Sequence, residues 1–226
     1  MSAGTHGATD ILGLGADWEA QDTNLATTRD RISSPAANGD ESASTTFGEQ
    51  IEVAVPYIYV GAETDLGAAL DAALSAVGVN VGQLAGTYLI TGISVDLSPL
   101  AEGKRAMISF IVVNGFAAAS AVYKPSVTIS LVVGSIPDIL TNSDADSELT
   151  SEKYAIAASH GTDRDADGEI IRGSTYGGSE TLELEFYGVP TLVTTGWDIP
   201  SEASRDSNAD YSASSFSLIK GLAREV

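Results

Sequence analysis

The feature that most constrains this chain is a period-two alternation of side chains that recurs at strand length. Ile51, Val53, Val55, Tyr57 and Tyr59 alternate with Glu52, Ala54, Pro56 and Ile58. Val127, Ile129, Leu131 and Val133 alternate with Thr128 and Ser130, and Leu182, Leu184 and Phe186 with Glu183 and Glu185. Successive strand residues point to opposite faces, so each segment reads as a strand with one buried face. Pro56 cannot donate to a ladder, which hints at an edge or a bulge. Residues 88–97 alternate in their second half. Residues 106–113 are apolar on both faces and are expected at the centre of a sheet. Shorter strands are expected at 153–158 and 214–219.

One segment has a different period. Leu66, Ala69, Leu70, Ala73, Leu74 and Val77 recur at helical spacing, with Thr64 placed to cap the start and Gly78 to end it. The spacing predicts one amphipathic helix over 65–77, packed across a sheet. Many strands with turn chemistry between them and a single helix imply a mainly-β fold, an antiparallel β-sandwich or barrel.

Residues 1–47 are rich in Thr, Ser, Asp, Asn, Ala and Gly, with Ile11, Leu12, Leu14, Trp18 and Leu25 the larger apolar exceptions. Such a segment buries little by itself and is expected to be an extended N-terminal arm. Residues 48–226 then form a single β-rich domain. Long loops are expected at 135–152 and 196–213, and loops of that length commonly serve contacts. The second holds Trp197, Ile199 and Pro200 beside polar residues, an apolar anchor with a wet rim, and is expected to be an intersubunit interface.

Charge removes several function classes. Eleven Lys and Arg stand against 31 Asp and Glu, a net charge of −20. Sequence-specific nucleic-acid binding needs clustered cations, and the adjacent basic pair Lys104-Arg105 is too small a footprint. With no cysteine, disulfides, thiolate catalysis and thiolate metal sites are excluded. No signal peptide is expected from residues 1–10, and no apolar run approaches the roughly 18 residues of a membrane span.

Residues that could carry chemistry are few. Asp163, Asp165 and Asp167 followed by Gly168 match the first half of a calcium loop, where hard oxygens converge as the glycine turns the chain. The twelfth position counted from Asp163 is Ser174, where such loops place a bidentate Glu, and Arg164 lies inside. The competing reading is an acidic hairpin turn with Asp167-Gly168 at its tip. No cofactor is expected, with weak calcium binding at this motif the alternative. His6 and His160 are the chain's histidines. Ser159 and His160 are neighbours on a strand and point to opposite faces, so with Asp163 they make no triad. No catalytic residue is expected, and the chain does not read as an enzyme.

Three stretches carry a resemblance: Gly13-Leu14-Gly15-Ala16-Asp17-Trp18 with Asp30 and Gly39-Asp40-Glu41; Leu89-Ile90-Thr91-Gly92-Ile93-Ser94-Val95; and Thr195-Gly196-Trp197-Asp198-Ile199-Pro200 with Lys220-Gly221-Leu222-Ala223-Arg224. In this order they resemble virion structural proteins of tailed viruses. The resemblance implies a self-assembling particle subunit (tail tube, neck or capsid-associated) whose partners are itself and other virion proteins. It transfers no functional residue. The alternative is a calcium-stabilised β-sandwich binding module, with glycans a candidate ligand.

Overall fold

The structure, a computed structural model, describes residues 12–60, 80–85, 88–97, 106–114, 122–124, 140–141, 148–188, 190–192, 196–199, 204–205 and 213–223. The expected helix at 65–77 and the strand at 127–133 lie outside the described residues.

Twelve strands are described: β1 (Trp18–Ala20), β2 (Asn24–Pro35), β3 (Glu41–Tyr59), β4 (Leu84–Ala85), β5 (Tyr88–Asp96), β6 (Met107–Asn114), β7 (Leu140–Thr141), β8 (Glu148–Arg164), β9 (Ile170–Tyr187), β10 (Thr191–Leu192), β11 (Ser204–Arg205) and β12 (Ala213–Gly221). Ten join one sheet in the order β1-β3-β6-β5-β8-β9-β12-β11, with β2 added to β3 and β4 to β5; β7 and β10 form a separate pair. Every pairing is antiparallel. The mainly-β, antiparallel expectation therefore holds.

Register explains why these sequences form one sheet. Tyr57 pairs with Ile108, Ile108 with Val95, Val95 with Tyr154, Tyr154 with Leu182, and Leu182 with Leu218. All six are buried and belong to one core cluster. The neighbouring row runs Val55, Phe110, Ile93, Ile156. A slip of one residue in any strand would turn its whole apolar set to the other face, so the core fixes the register. On the opposite face the row Pro56, Ser109, Ser94, Ala155, Thr181 is small or polar. Residues 106–113 do lie inside the sheet, between β3 and β5. On their outward face Val113 is buried, Met107 and Ser109 are half-buried, and Ile111 is 41% exposed.

Several elements extend past their expected bounds. The strand expected at 153–158 runs from 148 to 164, so residues 148–152 are strand and not loop. Residues 204–205 and 213, expected in the second long loop, are also strand. Within the segment expected to be an arm, β1 pairs with the end of β3 and Trp18 is buried against Tyr59, ring centroids 5.0 Å apart. The Leu12 amide donates to the Tyr57 hydroxyl at 3.2 Å, tying this segment to the core.

Candidate functional site

Two hairpins, β2–β3 and β8–β9, run past the ends of the central strands. Pairing of β6 with β3 stops at Glu52, and pairing of β5 with β8 stops at Ala157. From there each hairpin continues as a two-stranded ribbon. At about 3.3 Å per residue, β3 alone spans roughly 60 Å.

Both ribbons close with the same turn. The Ala36 amide donates to the Asp40 carbonyl at 2.6 Å, and the Gly39 amide to the Ala36 carbonyl at 2.9 Å. In the second hairpin the Asp165 amide donates to the Glu169 carbonyl at 3.0 Å, and the Gly168 amide to the Asp165 carbonyl at 3.1 Å. Gly39 and Gly168, at φ 89° and 85°, take the left-handed position that such turns require. Each turn also uses a short polar side chain to cap its own backbone. Asn38 Oδ1 accepts from the Asp40 amide at 3.2 Å, and Asp165 Oδ1 accepts from the amides of Asp167 and Glu169 at 3.0 and 2.9 Å.

That geometry bears directly on the calcium motif. Asp165 directs an oxygen at its own turn, and the Asp163 position lies across the ladder from Arg172. Among the described residues, no three His, Cys, Asp or Glu side chains converge closely enough to hold a metal ion. A calcium affinity no tighter than about 10⁻⁴ M is expected. Calorimetric titration reads it, and micromolar binding lost in Asp165→Ala would contradict it.

The ribbons differ in exposure, with Gly173 and Thr175 of β9 buried and β2 open to solvent. All twelve residues of β2 face solvent, and among the described residues β2 pairs with β3 alone. Three large apolar side chains stand out on the ribbons, Ile32, Ile171 and Tyr176, with Leu25 on β2 opposite Val53; each is more than half exposed. An open strand edge of this length is a template for another chain unless something covers it.

The two ribbons also touch each other. Gln50 Nε2 and His160 Nε2 lie 2.5 Å apart. Further out, an Arg164 Nη2 atom lies 2.6 Å from Asp30 Oδ2, and Nη1 donates to the Gly168 carbonyl at 3.1 Å. The guanidinium also stands over the Phe47 ring, 5.8 Å from its centroid. Thus His160 is engaged by the opposite hairpin.

Of the expected interface residues, Trp197 and Ile199 are described. Trp197 is 7% exposed and belongs to the core cluster, with the Lys220 ammonium 5.8 Å over its ring. Asp198 and Ile219 exchange two backbone hydrogen bonds of 2.9 Å that pin the Trp197 backbone beside β12. In the single chain the ring is thus packed into its own core. Ile199 is exposed at 46%, and Pro200 lies outside the described residues.

One buried titratable pair escaped the sequence reading. Glu180 is fully buried, in the same row as Ile156, and accepts a hydrogen bond from the Tyr154 hydroxyl at 2.5 Å. Burial pushes the Tyr154 hydroxyl far above the usual tyrosine range, and the hydrogen bond and charge of Glu180 push the same way. The signal was present: Glu180 shares the parity of Leu182, Leu184 and Phe186, which points it inward. The pair lies inside the core, so its role is in stability. Among the described residues, no helix is long and apolar enough to cross a membrane. Comparison with protein-family models and with curated proteins finds no match to this chain.

Proposed function

We propose that this chain is a virion structural protein, a self-assembling subunit of a tailed-virus particle in its tail tube, neck or capsid-associated layer. The observation that carries the reading is the pair of long hairpins. They reach past the core, expose Leu25, Ile32, Ile171 and Tyr176, and leave the outer edge of β2 unpaired among the described residues. A second copy, or another virion protein, would pair or cover that edge.

Charge selects where contacts form. Copies carrying −20 repel one another, so stable contacts belong on surfaces near neutrality. Strand β2 fits that requirement, since its Arg29 and Arg31 outnumber its one acid, Asp30. Its Arg29 and Arg31 are matched by ion pairs to Glu49 at 2.5 Å and Glu41 at 2.5 Å. Residual repulsion is screened by salt, with a Debye length of about 8 Å at physiological ionic strength and about 3 Å at 1 M.

Assembly is therefore expected to strengthen as salt rises. Light scattering after size exclusion, with negative-stain microscopy of the same sample, reads it. Rings, tubes or discrete oligomers of one mass support the proposal, and a monomer at high protein and salt concentration contradicts it. The calcium-stabilised binding module would need converging carboxylates, and the turn geometry of Asp165 gives it no support.

A further inference from the structure

We propose that Arg164 is a positioning residue that locks the two projecting hairpins into one rigid arm. The proposal deepens the assembly reading and rests on it for its biological purpose, while the lock itself rests on geometry alone. Arg164 is the last residue of β8, and it makes two contacts across to the other hairpin and one within its own. It meets the Asp30 carboxylate of β2 at 2.6 Å and the Phe47 ring of β3 at 5.8 Å, and it holds its own turn through the Gly168 carbonyl at 3.1 Å. Its side chain is 29% exposed, well covered for an arginine near the tip of a ribbon.

Two glycines shape the socket. A Cβ on Gly48 would overlap the Arg164 guanidinium, and a Cβ on Gly168 would overlap the Phe47 ring. Both lie at positive φ, 61° and 85°, where side chains are disfavoured. Each glycine belongs to one hairpin and makes room for a side chain whose contacts cross to the other. The ladder is adjusted at the same places. The β2–β3 register shifts between Thr28 and Asp30, opposite Gly48, and the β8–β9 register shifts between Asp163 and Arg164. Bulges re-aim side chains, and these two bring Asp30 and Arg164 together. A second, inner contact between Gln50 and His160 joins the same pair of ribbons.

The Arg164 contacts lie beyond the core, whose buried residues end at Val53 on β3 and Ile156 on β8, with Ile51 and Ala158 partly buried at its margin. What they fix is the relative position of two exposed ribbons. A docking surface split across two freely moving hairpins would lose ordering entropy on each encounter, and locking them beforehand removes that cost.

The test is hydrogen exchange by mass spectrometry on the full chain, for the parent, Arg164→Ala and Arg164→Lys, with assembly mass measured on each. Arg164→Ala is expected to raise exchange in segments 24–35, 41–50 and 159–176 by about tenfold or more, the factor for losing a charge-assisted contact. Exchange in 107–113 and 181–187 and the melting temperature should stay as in the parent, and assembly should weaken. Arg164→Lys, which keeps the cation, should recover part of both arm protection and assembly. Unchanged arm exchange in Arg164→Ala overturns the proposal, as does loss of protection in 107–113, which would make Arg164 a support of the fold. Should Arg164→Ala fail to fold, Asp30→Asn removes the ion pair alone and is read the same way. A parent chain that never assembles, with arm exchange still responding to Arg164→Ala, would overturn the assembly reading and leave the lock standing.

Discussion

Replacing Trp197 with alanine is expected to cost about 3–5 kcal/mol of folding stability, the usual penalty for emptying a large aromatic site in a core. The ring is 7% exposed in the core cluster and is covered on one side by Lys220. Truncation would remove its packing and leave a cavity that the backbone cannot close, because Asp198 is bonded to Ile219 at both ends of the bridge. For a chain of this size the loss corresponds to a fall in Tm of roughly 10 °C or more. Denaturant titration of the variant, with oligomer mass on the same sample, checks it. A variant that keeps its stability but loses assembly would return Trp197 to the contact role that its sequence neighbours suggest.

The second large effect concerns Tyr154 and Glu180. Tyr154→Phe removes the hydroxyl that donates to a fully buried carboxylate at 2.5 Å. Hydrogen bonds to charged groups contribute about 1.5–3 kcal/mol net, so a loss of that order is expected at neutral pH. The pH dependence has a definite sign. The folded hydroxyl is raised far above the ordinary tyrosine value of about 10, first by burial and then by Glu180. Its contribution is thus fully present below pH 10, where folded and unfolded chains both keep the proton. Above that the unfolded chain ionises while the folded chain does not, and stability falls by up to about 1.4 kcal/mol per pH unit for this one group. Denaturation midpoints measured between pH 8 and 11 should show the alkaline fall in the parent and a shallower one in Tyr154→Phe. Equal slopes would mean that Tyr154 ionises in the folded state.

Much of the fold could be read directly from the residues. Period-two spacing placed β3, the second half of β5 and β9 on the sheet with the correct inward faces, because side-chain direction in a strand is set by local backbone geometry. Asp167-Gly168 offered a hairpin turn as the rival of a calcium loop for an equally local reason, the φ that glycine adopts freely. The absence of cysteine excluded thiol chemistry outright.

What the sequence could not determine was which surfaces meet. The polar composition of residues 24–35 and 41–47 is compatible with an arm or with a ribbon, since a two-stranded ribbon exposed on both faces needs no apolar periodicity. Only pairing with β3 decides between them. Trp197 sits among polar residues in sequence, yet it enters the core, because the bridge to β12 is a long-range contact that no local pattern encodes. Arg164 reads locally as an intruder in a calcium motif. Its contacts to Asp30 and Phe47 span more than a hundred positions of chain, and two register shifts, which depend on the partner strand, are what bring them together. Alternation, turn residues and charge act over a few residues and are therefore legible in sequence, whereas burial and the joining of the hairpins depend on the closed sheet and were decided only there.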